Sequence, residues 1–304
     1  MIFYINRFSG IERKTYEVEI ITPMFLVGAD HRKAELRVPP IKGMLRFWWR
    51  ALHPDLTNSN KNYKKLRDEE SKLFGDAGDI YGKSKVKIQF LENYKLRYDS
   101  HNPFPHKQVN FNFKGFNVNQ SFKIVITSPE EIHKLFEFST IVGGLGKRSR
   151  RGFGGLVVKY NNISDLSIIN RLYNLIKEIN TENIYKKSNN EEFSFIEISQ
   201  NYPNANYPYL KRIQTGKEKS DYKVILKTIG QSSHDNNSNY TGFVRGKERF
   251  SSPIYVSITK HGSSYIPVIS MLNVAFKNKQ NNGIDKSEFF INDILEVKIK
   301  ENPK

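Results

Sequence analysis

Gly143-Gly144-Leu145-Gly146-Lys147-Arg148-Ser149-Arg150-Arg151-Gly152-Phe153-Gly154-Gly155 decides how the rest of the chain is read. Glycine lets a backbone take positive φ and approach another backbone closely. Arginine adds a planar, always-charged fork that matches phosphate oxygens. Together they suit a polyanionic backbone. A helical pattern over 130–141 precedes the stretch, and the apolar run Leu156-Val157-Val158, read as a strand, follows it. The stretch is therefore a loop tied to a core at each end. The bland alternative is a solvated, flexible turn. Phe153, set among the glycines, argues against it. A Walker-type phosphate loop is excluded because no Gly-Lys-Ser/Thr follows at the required spacing. A dinucleotide loop would join a strand to a helix, and this loop precedes a strand.

Upstream, Tyr16, Val18 and Ile20 alternate with Glu17 and Glu19, a half-buried strand that Pro23 ends. Pro39-Pro40 opens a helix at the turn where proline is tolerated. Helical spacing over 41–53 puts Ile41, Leu45, Trp48 and Leu52 on a core stripe. Lys42, Arg46, Trp49, Arg50 and His53 fall on another face. Trp49 sits at the boundary and reads equally as core or as an exposed indole. Cations at i, i+4 and i+8 repel one another, and an anionic partner would relieve that. A charged helix over 60–74 and strands over 83–90 and 121–127 follow. The stretch 93–116 has no period and reads as a long loop with some extended pieces. The resulting order is βαββαβ with insertions, the ferredoxin-like or RNA-recognition pattern.

Asn161-Asn162 reads as a domain joint, dividing the chain into 1–160 and 161–304. Beyond it, Ser164 can cap an amphipathic helix, and 193–199 alternates as a strand. A helix is expected over 221–229 and a polar, mobile segment over 231–240. Two strands, 253–259 and 265–276, flank the turn His261-Gly262-Ser263-Ser264. A helix over 285–295 and a strand over 296–300 close the chain. The fold class is α+β, with the second half read as a degraded copy of the first unit.

The 304 residues include 48 Lys and Arg against 31 Asp and Glu, a net charge of +17. That surplus favours nucleic acid or an anionic membrane. No apolar run approaches bilayer length, and Met1-Ile2-Phe3-Tyr4-Ile5 is too short for a signal peptide. No membrane partner and a cytoplasmic location are therefore expected. The absence of cysteine removes disulfides, cysteine zinc sites and thiol catalysis. With 21 Phe and 16 Tyr, some aromatic rings can stack on bases.

Three stretches share one resemblance. Pro39-Pro40-Ile41-Lys42-Gly43-Met44-Leu45-Arg46-Phe47-Trp48-Trp49-Arg50 resembles the helix-opening motif of the RAMP superfamily of CRISPR proteins. Leu73-Phe74-Gly75-Asp76 resembles the segment after it, and 145–154 the superfamily's glycine-rich loop. The Phe-Trp-Trp-Arg form, with Arg249-Phe250-Ser251-Ser252-Pro253-Ile254, is most similar to the first Cmr subunits of type III-B effector complexes. The resemblance implies two tandem ferredoxin-like domains in a non-catalytic subunit. It implies a hold on the 3′ region of a guide RNA and its paired target, with other Cmr subunits as partners. Carried over by position, the RNA-binding residues are Lys42, Arg46, Trp49 and Arg50 in the helix motif. Lys147, Arg148, Ser149, Arg150 and Arg151 follow in the loop, then Arg245, Lys247 and Arg249 in the second half.

Two enzymatic alternatives stand beside this. His31 can serve metal-free general acid–base cleavage of RNA. Asp30 occupies the interval where target-cutting relatives carry a loop aspartate, though one carboxylate is a poor magnesium site. His101 and His106, among prolines, read as a turn and not a zinc site. No catalytic residue, metal or cofactor is therefore expected. A scaffold for acidic protein partners is the remaining alternative.

Overall fold

The structure, a computed structural model, describes residues 10–297 apart from 31, 58–62, 77, 79, 92–94, 109–110, 160–166, 190–192, 203–204, 246–247 and 276–283. Strand β1 (Ile11–Ile20) buries Tyr16, Val18 and Ile20, as their alternation requires. Helix α1 (Val38–Leu52) carries prolines in its first turn and buries Ile41, Leu45, Trp48 and Leu52. Helix α2 (Lys64–Phe74) ends at Gly75, whose φ of 72° suits glycine. The stretch expected to be mainly loop holds β3 (Tyr98–His101) paired with β4 (Phe113–Phe116). It follows β2 (Lys87–Phe90). Strand β5 (Gln120–Pro129) runs into α3 (Glu130–Val142), whose first turn carries Glu130 and Glu131 at the positive end of the helix dipole. Strand β6 (Leu156–Lys159) follows the Gly-rich loop. The first sheet has the order β2-β5-β1-β6, antiparallel throughout.

Helix α4 (Ile168–Ile179) is capped by Ser167, whose hydroxyl accepts from the Asn170 amide. The expected cap, Ser164, lies outside the described residues, as do the proposed joint and His31. Next come β7 (Tyr185–Asn189), β8 (Ser194–Ile198) and β9 (Leu210–Thr215). Helix α5 (Tyr222–Asp235) is longer than its apolar pattern predicted. Its last turn is not a mobile segment, because Ser232 donates to Asp293 at 2.8 Å. The short strands β10 (Phe243–Arg245) and β11 (Glu248–Phe250) pair before β12 (Ile254–His261) and β13 (Ser264–Leu272) form the expected hairpin. Helix α6 (Ser287–Leu295) is the last element; Glu296 and Val297 are not a strand. The second sheet is five-stranded, β12-β13-β9-β8-β7.

The cores cross the chain's midpoint. One joins Val18, Leu45, Trp48 and Phe136 to Leu172, Ile196, Val268 and Leu272. The other sets Ile21, Phe25 and Phe153 among Ile225, Leu226, Val256 and Phe290. Burying one apolar set from both halves favours a fixed relation between the sheets, since separating them would expose it. Among the described residues no helix is long and apolar enough to cross a membrane.

Candidate nucleic-acid interface

The Gly-rich loop is wedged between the two halves. On one side, the Lys147 amide donates to Phe25 O at 3.0 Å and the Gly154 amide to Pro23 O at 2.9 Å. On the other, the Gly152 amide donates to Val256 O at 2.7 Å and the Val256 amide returns a bond to Arg150 O. Glycine is required where the backbones meet. Gly154 has φ 68°, and a Cβ there would stand 2.0 Å from Leu145 O. Phe153 is no ligand platform: it is buried against Phe25, ring centroids 4.9 Å apart.

This geometry corrects the reading of Arg150 and Arg151 as free phosphate forks. Arg151 donates to Ile254 O at 3.1 Å and Thr241 O at 2.7 Å, with Phe290's ring 5.0 Å from its guanidinium. Burial pulls its pKa down to about 9, aided by Arg148 and Arg150, so it remains protonated at neutral pH. Arg150 donates to Ser252 O and stands over Phe47 and Tyr255. Arg148, at φ 62°, lies 4.4 Å over Phe104, and burial lowers its pKa too. Arg150 and Arg151 thus spend their charge on carbonyls of the second half, whereas Arg148 meets the Phe104 and Phe153 rings. Ser149 lines the same opening as Tyr255. Lys147 alone of the loop cations is exposed, its ammonium 5.2 Å over Phe113.

The basic face of α1 is likewise engaged. Arg46 Nε and Arg50 Nη1 both reach Glu70 Oε1, at 2.7 and 2.5 Å. Glu70 of α2 is buried, so this carboxylate, and not an external anion, relieves the repulsion between the cations. Each arginine keeps over a third of its side chain exposed. Lys42 donates to Ser84 Oγ at 2.7 Å, and burial, then Arg46, lowers its pKa. Trp49 is only 2% exposed, stacked on His53 at 4.3 Å, with its indole N–H donating to Glu131 at 2.7 Å. It is a core residue, which corrects the stacking role assigned to it. The α-helical face that holds the cations turns into α2, and Trp49 faces α3.

The two motifs nevertheless meet. A groove of about 310 Å³ is lined by Phe47, Arg50, Tyr63, Arg67, Glu70 and Tyr207. A second stretch, about 210 Å³, runs from Met44 and Phe47 to Gly144, Gly146, Ser149 and Arg150. Phe47 lines both, so they adjoin. Four groove residues were not among the expected site residues: Phe47, Tyr63, Arg67 and Tyr207. Phe47 stands in the quoted Phe-Trp-Trp-Arg motif, and the tyrosines at 202, 207 and 209 were a signal for Tyr207. Tyr207's hydroxyl lies 3.2 and 3.1 Å from the carbonyls of Arg50 and His53, and Tyr63's accepts the Asn206 amide at 2.9 Å. The first two bonds fasten Tyr207 to the end of α1, and the third ties Tyr63 to the residue beside Tyr207. Arg67 is exposed there. Arg249 is exposed on β11 and lines neither stretch; Arg245 lies on β10. Lys247 lies outside the described residues.

Asp30 is exposed and accepts from the Arg32 amide at 2.9 Å, a local turn. Among the described residues, no three His, Asp or Glu side chains converge as a metal site would need.

The RAMP superfamily model matches residues 17–157. The chain is 29% identical over 177 residues to the CRISPR system Cmr subunit Cmr1-2 of Pyrococcus furiosus, covering 47% of this chain and 94% of that one. The first half of the chain is thus similar to the RAMP superfamily and to Cmr1 subunits. Cmr1-1 of the same organism is 27% identical over 164 residues, covering 47% of this chain and 46% of its own. The fold extends further than these matches. The crystal structure of apo Cmr1 from P. furiosus superposes with a TM-score of 0.55 at 19% identity, covering 94% of this chain and 96% of that one. A chain of the cryo-EM structure of the type III-B Cmr-beta bound to cognate target RNA gives 0.53 at 11% identity, covering 95% and 98%. The chain thus shares its mixed α+β fold with Cmr1 across both halves.

Proposed function

We propose that the chain is a non-catalytic RNA-binding subunit of a type III-B CRISPR ribonucleoprotein in the cytoplasm. It contacts other Cmr subunits and holds the 3′ region of the guide RNA with its paired target. The carrying observation is the groove in which the RAMP helix motif and the Gly-rich loop adjoin at Phe47, rimmed by Arg50, Arg67, Tyr63 and Tyr207. Aromatic faces beside guanidinium groups are what a single strand or a strand end requires. Among solved relatives, the complex that carries a similar chain is bound to target RNA, and the 3′ assignment rests on the motif resemblance. We also read the chain as two ferredoxin-like units, 1–160 and 161–304. The order β2-β5-β1-β6 with its helical crossovers supports the first. In the second, β9, α5, β12, β13 and α6 repeat the pattern, with β8 in the fourth strand position.

Binding and cleavage separate on a gel. Purified protein is incubated with single-stranded and guide-paired RNA, with and without magnesium or manganese. Bound, intact RNA is the expected result. Metal-dependent product that disappears in Asp30→Ala would move the chain to the target-cutting class. Metal-free product lost in His31→Ala would move it to guide processing. Binding of acidic proteins without RNA binding would make it a scaffold.

A further inference from the structure

Neighbouring residues of the Gly-rich loop serve two openings. Ser149 and Arg150 line the groove at α1, whereas Arg148 and Arg151 line a separate cleft of about 310 Å³. That cleft also takes Phe104, His106 and Lys107 from the segment between β3 and β4, His234 from α5, and Phe243 and Phe250 from the short hairpin. None of its lining residues is acidic. Its basic groups crowd together. Lys107 Nζ is 3.2 Å from His234 Nδ1, and the rings of His106 and His234 are 6.0 Å apart. Two buried nitrogens have no partner: Arg148 Nε and His106 Nδ1. An anion in the cleft would accept from the exposed Lys107 ammonium and from the remaining N–H groups of Arg148. A cation is excluded on the same ground, since two imidazoles stand beside Lys107, Arg148 and Arg151.

The cleft is also built for its ring. Gly230 sits inside α5, where glycine is a poorer helix former than alanine. A Cβ there would stand 2.3 Å from His106 Nδ1, so the glycine makes room for the imidazole. Phe243 and Phe250 add a near-parallel ring pair, centroids 6.1 Å apart at 21°.

We infer that this cleft is a second RNA contact. It seats one backbone phosphate among Arg148, Lys107, His106 and His234, with the neighbouring base against Phe243 and Phe250. The aromatic pair favours RNA over an acidic peptide, because bases stack and carboxylates do not. The inference rests on the RNA-binding reading above. Lys107 and His234 are exposed, so Lys107→Ala with His234→Ala leaves the core intact.

The test titrates the full chain with fluorescein-labelled oligouridine while the histidine ring resonances are followed by NMR. Orthophosphate, uridine monophosphate and poly-glutamate are titrated in parallel. The expected result is that oligouridine shifts the His106 and His234 resonances. The double variant should bind several-fold more weakly, with a salt slope lower by about one and an unchanged melting curve. Tight oligouridine binding by wild type, with still resonances and an unaffected variant, overturns the cleft while leaving the groove standing. No oligouridine binding by wild type overturns both. Resonances that answer orthophosphate or the mononucleotide but not oligouridine make it a small-ligand site. An equal answer to poly-glutamate assigns it to an acidic protein partner.

Discussion

Arg151 shows how a residue that reads as a phosphate fork becomes a structural tie. Its guanidinium satisfies two carbonyls about a hundred residues away, on Thr241 and Ile254. Arg151→Ala would take that donor from Thr241 O, while Ile254 O keeps the Ser252 hydroxyl, and should cost about 1–3 kcal/mol, read as a lower urea midpoint. RNA affinity per folded molecule should change little. Glu131 gives a pH signature. Burial raises its carboxyl pKa above 4.5, while Trp49's N–H pulls the other way. A raised carboxyl pKa means that ionisation costs stability. The cost is absent below 4.5, grows as pH rises past it, and is complete above the folded value. Glu131→Gln should therefore remove that loss, seen by comparing thermal melts at pH 4 and pH 7. Trp49→Phe removes the donor that favours the carboxylate. It should lose about 1–3 kcal/mol at pH 7 and less at pH 4. Equal losses at both would show that the hydrogen bond is not what holds Trp49.

At the scale of elements, the loop acts as a clasp, and its glycines carry the cost of any change. Gly154→Ala meets Leu145 O and takes a positive φ, so it should destabilise by more than the ~1–2 kcal/mol that αL strain alone costs. Gly82→Ala, at φ 63° with open space around it, should show only the strain. Similar melting shifts would mean that the loop's backbone contacts are dispensable. Helices α1, α2 and α3 were legible because apolar periodicity, Pro39-Pro40 and Glu130-Glu131 all agree locally. Strand β7 was missed because only Tyr185 turns fully inward, and β9 because Lys211, Arg212 and Gln214 mask its apolar positions. The arginines' partners were illegible for a deeper reason. They are backbone carbonyls of residues distant in sequence, and a carbonyl has no residue type. Glu70 was readable as an acid on α2 but not as the residue between Arg46 and Arg50, because that depends on how α1 and α2 cross. Removing both arginines would strand a buried carboxylate, so that pair cannot report on RNA alone.

For the whole molecule, the +17 charge sets a salt-sensitive attraction for polyanions, and the groove at Phe47 is where the account puts the strand. Its two chemistries make separable contributions, a guanidinium at Arg67 and a ring face at Tyr63. The most direct test is the affinity of the full chain for single-stranded RNA as a function of salt, in wild type, Arg67→Ala and Tyr63→Ala, with melting curves as control. Arg67→Ala should lower the salt slope by about one. Tyr63→Ala should weaken binding by ~1–3 kcal/mol and leave the slope unchanged, because stacking releases no counterions. Wild-type affinity and slope in both variants, on folded protein, would contradict the account: the strand would then run elsewhere.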